Sequence, residues 1–239
     1  LPIYNSFNLL NLVNTVNLNG ANPNYFNERG LMREQEGSLT EALEFYKKAL
    51  NMSSKNPIFL YNVGITLQKL GNHADAIVYL RQLADIDNID FEAYIALGNS
   101  LGELGRYQEA VDAYNWAERL RPSYQRIYYQ RGVFRNLAGD FPKAQKDFDK
   151  AIKKEPLFAN AYYNRGVNYK DMEKWKRAIK DLTEAIALNP NHGKAYMVRG
   201  VCYFNSDKFA EGAADLKRAI ELGEKEAQLL FDKYGTTNK

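Results

Sequence analysis

The side chains best suited to chemistry here are two histidines, one cysteine and a set of arginine–aspartate correspondences. A nucleophilic or acid–base centre needs a nucleophile, a base and an orienting group in mutual reach. A zinc centre needs closely spaced Cys and His ligands. Cys202 is the only thiol, and His192 has neither Cys nor His beside it. No GxxxxGK phosphate cradle is present. The expectation is no enzyme: no catalytic residue, no metal and no cofactor. His73 reads as a packing residue, His192 as a surface residue and Cys202 as a small buried group. A lone cysteine also rules out an internal disulfide and leaves the redox compartment open.

The elements that must position these residues follow from a period. Gly30, Gly64, Gly98, Gly132, Gly166 and Gly200 stand 34 residues apart. A fixed period of this length marks a stacked array, which builds a long surface and not by itself a reaction centre. With each glycine at position 8, the units run 23–56, 57–90, 91–124, 125–158, 159–192 and 193–226. Position 20 is Ala42, Ala76, Ala110, Ala144, Ala178 and Gly212; position 27 is Ala49, Leu83, Ala117, Ala151, Ala185 and Ala219. Position 4 is Phe26, Leu60, Tyr94, Tyr128, Tyr162 and Tyr196, and Pro122, Pro156 and Pro190 stand at position 32.

These residues resemble the tetratricopeptide repeat over 23–226. The resemblance implies an all-α, right-handed α-solenoid of six antiparallel helix pairs. The physics of each unit agrees. Apolar positions fall at helical spacing, with a break near positions 14–17. Gly37, Gly71, Gly105 and Gly139 stand in that break, suited to a left-handed turn that ends the first helix. Asp140 and Pro142 suit the start of a second helix. Small residues at 8, 20 and 27 let helices approach, and aromatic residues at 4, 17 and 24 are expected to fill gaps between units. Repeats 2 and 6 match least well, with Leu83 and Asn88, and with Gly212 and Glu224.

Within this frame the arginines become interpretable. Arg131, Arg165 and Arg199 stand at position 7 of repeats 4 to 6, and Asp147, Asp181 and Asp215 at position 23 of the same repeats. Repeats 2 and 3 carry Val63 and Leu97, then Tyr79 and Ala113; repeat 1 breaks the rule with Arg29 and Phe45. A concerted exchange predicts that positions 7 and 23 face each other. Loss of one partner from a buried pair costs about 3–5 kcal/mol, and from an exposed pair about 0–1 kcal/mol.

The resemblance further implies that the first helices line a concave groove. There the candidate peptide-binding residues are Tyr61, Asn62, Asn99, Tyr129, Gln130, Tyr163, Asn164 and Met197. An amide both donates and accepts, and tyrosine offers area at low entropy cost. The expected function is a protein-interaction scaffold whose partner is a protein or extended peptide. Alternatives are a substrate-recruiting module of a larger enzyme and a self-assembling element. The pattern by which related domains clamp a chaperone's C-terminal carboxylate is absent, since Asn27, Leu31, Glu92 and Ala96 stand where its lysine, asparagine, second lysine and arginine belong.

Net charge is +3 with both signs mixed, and Glu28, Glu34, Glu92 and Glu103 interrupt any basic track, so no nucleic acid is expected. No apolar run reaches the roughly 18 residues that span a bilayer. Residues 1–22, uncharged and with seven asparagines, read as an N-terminal cap or a leader for self-association. Residues 227–239 read as a capping helix and tail, with Leu229, Leu230 and Tyr234 covering the last repeat. A chain opening on Leu1 reads as a processed product or a fragment, and its compartment, cytoplasm or periplasm, stays open.

Overall fold

The computed structural model describes residues 22–86, 91–124 and 126–236. The uncharged segment 1–21 and Asn88 lie outside them. Two compact units follow each other, Leu1–Pro122 and Ser123–Lys239. Among the described residues the first unit holds α1 (Pro23–Gln35), α2 (Leu39–Met52), α3 (Pro57–Lys69), α4 (His73–Ala84), α5 (Phe91–Glu103) and α6 (Tyr107–Leu120). The second holds α7 (Arg126–Leu137), α8 (Phe141–Lys154), α9 (Ala159–Asp171), α10 (Trp175–Leu188), α11 (Gly193–Phe204), α12 (Phe209–Glu221) and α13 (Lys225–Thr236). Each odd helix up to α11 packs on the even helix that follows, and within each unit the pairs stack in chain order. Each unit is thus an all-α stack of three helix pairs, closed in the second by α13. Below, the first and second helices of a repeat are its A and B helices.

Start signals match local chemistry. Asn22, Asn56 and Asn72 accept backbone N–H groups at the starts of α1, α3 and α4, and Asp140 does so for α8 with Pro142 in its first turn. The A–B turn needs a left-handed residue at position 15. Gly105 supplies it at φ 72°, but Glu173 and Asp207 hold φ 57° and 58° in repeats 5 and 6, where a Cβ makes that conformation costly.

Position 8 is glycine because of position 24 of the same repeat. A Cβ on Gly98 would lie 2.7 Å from the Tyr114 ring, and one on Gly132 2.8 Å from Phe148. The large residue at 24 therefore fills the gap inside its own helix pair, not the gap between units that the sequence pattern predicts. Tyr46, Tyr114 and Phe148 are fully buried in this role. Repeat 6 shows a second exchange. Phe204 reaches so close to Gly212 that a Cβ there would lie 2.7 Å from its ring, so position 20 loses its alanine. The Phe204 ring then stacks on Tyr234 of α13 with centroids 4.5 Å apart. Leu230, Phe231 and Tyr234 pack on this cluster as the cap requires, whereas Leu229 is 73% exposed and covers nothing.

The exchange at positions 7 and 23 has the expected geometry. Arg131 donates from Nε and Nη2 to both oxygens of Asp147 at 2.8 Å, with side chains only 3% and 2% exposed. Arg165 clasps Asp181, and Arg199 clasps Asp215, in the same two-pronged way. Each guanidinium also lies over the position 4 ring of its own repeat: Tyr128, Tyr162 or Tyr196. The exception in repeat 1 resolves similarly, with Arg29 over the Phe45 ring at 5.6 Å. A third arm reaches back one repeat: Arg165 Nη1 bonds Asp149 at 2.7 Å, and Arg199 Nη1 bonds Thr183 at 3.0 Å, both at position 25. Burial would lower the Arg165 and Arg199 pKa values, but the hydrogen bonds and charge of their aspartates win and hold them above the ordinary value.

Candidate functional site

The candidate wall is built from positions 5, 6 and 9 of the A helices, taken within each unit. Positions 5 and 6 of successive repeats engage each other. In the first unit Asn62 Nδ2 donates to Asn27 Oδ1 at 2.7 Å. In the second, Asn164 Nδ2 donates to Tyr129 Oη at 2.9 Å and to the Asn160 carbonyl at 3.0 Å. These bonds orient the side chains and leave defined valences. Asn164 has used both N–H bonds, so Oδ1 remains as an acceptor. Tyr129 has accepted, so its own O–H remains as a donor. The Asn27–Asn62 pair likewise keeps the Asn27 amide group as donor and Asn62 Oδ1 as acceptor.

Aromatic packing fixes the rings. Tyr129 lies against Phe158 with centroids 4.7 Å apart, and Tyr163 against His192 at 4.6 Å. Burial pushes both phenols above their usual pKa, reinforced at Tyr163 by the Glu224 carboxylate, so both hydroxyls stay protonated at neutral pH. Tyr61 and Gln130 are half-buried on α3 and α7. Met197 packs into the cluster under α13. Asn99 is different: its Oδ1 accepts from the Tyr114 hydroxyl, which ties it to its own B helix. Of the eight candidates, Tyr129 and Asn164 are joined directly. Asn27 in the first unit, and Phe158 and His192 in the second, contact candidate side chains but are not themselves among the candidates. Asn27 shares position 5 with Tyr129, the signal by which it could have been found.

The histidines and the thiol have structural partners or places. His192 is not a bare surface residue; it caps α11, its Nδ1 accepting from the Ala195 N–H at 3.3 Å. His73 heads α4, half-buried, where other repeats carry Leu39, Tyr107, Phe141, Trp175 and Phe209. Cys202 is fully buried, and burial pushes its thiol up to about 12. Such a thiol is un-ionised and a poor nucleophile. Among the described residues no group of three or more His, Cys, Asp or Glu is placed to hold a metal ion. Among them too, no helix is long and apolar enough to cross a membrane.

His192 makes a pH prediction. Burial holds its pKa below the ordinary 6.5, against the pull of Glu224. A depressed folded value means that its contribution is intact above the unfolded value and is lost as pH falls through the folded one. Chemical denaturation should therefore show stability falling below about pH 6.5, and His192→Asn, which caps without titrating, should flatten part of that fall. An unchanged pH profile in the variant would refute it.

Residues 159–192 match a tetratricopeptide repeat family, and 59–90 and 137–169 match two further tetratricopeptide repeat families. Residues 30–71 and 98–136 match another TPR repeat family. Together the matches span most of the array, and the chain belongs to the tetratricopeptide-repeat family. No curated protein matches the chain. Among solved structures, a tetratricopeptide repeat protein from Parabacteroides merdae is similar at 21% identity and TM-score 0.72, covering 91% of this chain and 93% of its own. YrrB, described as a TPR protein with an unusual peptide-binding site, is similar at 23% identity and TM-score 0.68, covering 74% and 91%. MamA from Desulfovibrio magneticus is similar at 24% identity and TM-score 0.66, covering 70% and 94%. At these identities the likeness is one of fold.

Proposed function

We propose that this chain is a non-catalytic scaffold that holds an extended segment of a partner protein against its A-helix wall. The observation that carries the reading is the paired valence of positions 5 and 6. Tyr129 with Asn164 offers one donor and one acceptor side by side, and Asn27 with Asn62 repeats the offer in the first unit. A main-chain peptide group has one acceptor and one donor, so each pair complements a peptide unit without consulting its side chain. The neighbouring rings of Tyr163, Phe158 and His192 supply rigid apolar area. Peptide binding by YrrB supports such a use of the fold.

Peptides selected from a random library on the intact chain test this. Asn164→Ala and Tyr129→Ala should each weaken binding by roughly tenfold or more, with helicity unchanged. N-methylation of a single peptide amide should cost more than alanine at most peptide side chains. Equal affinity for the Tyr129→Ala/Asn164→Ala double variant would sink the reading.

A further inference from the structure

The arginine of position 7 occupies a fixed place in repeats 5 and 6. Its guanidinium lies between the ring at position 4, the carboxylate at position 23 and the oxygen at position 25 of the preceding repeat. Repeat 3 has Leu97 at 7 and Ala113 at 23. In the same place, between α4, α5 and α6, there is a cavity of about 430 Å³. The buried side chains of Leu97, Leu101 and Ala113 form its floor. Tyr94, at position 4, and Trp116 line it, their rings 21° from parallel with centroids 6.1 Å apart. The short residues at 7 and 23 have left open the volume that an arginine fills elsewhere.

Its rim is acidic. Arg81, Asp85, Glu109 and Asp112 line it. Glu109 is spoken for, accepting from Arg81 at 2.6 Å and from Arg106 at 2.7 Å. Asp112 accepts only a long 3.4 Å bond from Gln108. Neither Asp85 nor Asp112 has a cationic partner among the described residues. Trp116 is 50% exposed, with Arg119 over its ring at 4.7 Å. An apolar floor, two stacked rings and two carboxylates at the mouth fit one kind of guest: a side chain with an aliphatic stem and a flat cationic head.

We propose that this cavity of repeat 3 is a socket for an arginine side chain presented by a partner protein. The stem would lie on Leu97, Leu101 and Ala113. The guanidinium would meet Asp85 and Asp112, because the places that Asp181 and Asp149 take around Arg165 are here Ala113 and Arg81, the latter held by Glu109. The socket uses the B helices α4 and α6 and positions 4, 7 and 11 of α5. It therefore lies off the wall of positions 5, 6 and 9, and its fate is independent of the groove.

The chain has two tryptophans, so Trp175→Phe leaves Trp116 as a single reporter on the spot. The probe is a short glycine–serine peptide with blocked ends and one central arginine, titrated into the full-length Trp175→Phe chain. Expected is a saturable Trp116 fluorescence change with a dissociation constant of about 1 mM, the range of one well-placed side chain. The neutral isostere citrulline should bind at least about fivefold more weakly, and Asp85→Asn/Asp112→Asn should weaken arginine binding by a similar factor and blunt its salt dependence. Ala113→Tyr, the residue repeat 2 carries as Tyr79, fills the cavity and should abolish the response with helicity retained. Leu97→Arg/Ala113→Asp, which rebuilds the internal pair, should do the same and serves if the first variant fails to fold. Equal titration by arginine and citrulline peptides, no saturable response up to about 10 mM, or full binding by a folded filled variant each overturns the proposal.

Discussion

Asp147→Ala is expected to destabilise the second unit by about 3–5 kcal/mol, read as a lower urea midpoint for the full chain. Asp147 is 2% exposed and receives Arg131 through two bonds and Arg135 through a third at 2.6 Å. Removing the carboxylate takes from the guanidinium of Arg131, 3% exposed, the acceptor of two of its N–H groups in a low-dielectric place. The cost comes from breaking the pair, not from its absolute worth. Arg131→Leu/Asp147→Ala, the combination that repeat 3 carries as Leu97 and Ala113, should therefore recover part of the loss, the remainder being the Arg135 bond and the volume left open. Recovery is the decisive readout: a double variant as unstable as the single would show that burial of charge was not the cause. The same single change at Asp215, 10% exposed, should cost less.

Tyr114→Ala should cost the first unit a similar 3–5 kcal/mol. The ring is completely buried, lies on the bare backbone of Gly98, and its hydroxyl donates to Asn99. Alanine would open a cavity against a glycine that has no side chain to move into it. Tyr114→Phe keeps the ring and loses only the hydrogen bond, so about 1 kcal/mol is expected. From the other side of the contact, Gly98→Ala forces a methyl to within 2.7 Å of the ring and should cost about 1–3 kcal/mol despite alanine's better helix propensity. Equal stability of Gly98→Ala and the parent would mean that the ring can shift, and the account of position 8 would fall.

What could be read from the chain follows from what repetition encodes. Six copies compared with each other act as an internal experiment, so the exchange of Arg and Asp at 7 and 23 revealed a facing pair without any coordinates. The left-handed turn at position 15 was legible where glycine marks it and silent at Glu173 and Asp207, because nothing in those residue types announces positive φ. Partner choice was harder. Spacing says which face of a helix a residue occupies, but not which neighbour it touches. Hence position 24 fills the gap inside its own helix pair where spacing points to the gap between units, and spacing does not show that Asn99 accepts from Tyr114. His192 was misread because a cap is a property of backbone geometry at a helix start, and histidine is an unusual residue to find there. The third arm of Arg165 and Arg199 was missed since position 25 carries Asp149 once and Thr183 once, a correspondence only in the capacity to accept.

That backward-reaching arm also bears on how such a chain changes length. Every bond it makes runs from position 7 of one copy to position 25 of the copy before. Cutting out residues 159–192 whole would bring Arg199 opposite Asp149, and the bond would re-form with a carboxylate in place of a hydroxyl. Duplicating the same block would add one more such clasp. Gain or loss of complete 34-residue blocks is thereby tolerated by the chemistry, whereas a cut between Asp149 and Arg199 that is not a whole number of blocks takes an arginine out of register with its acceptor.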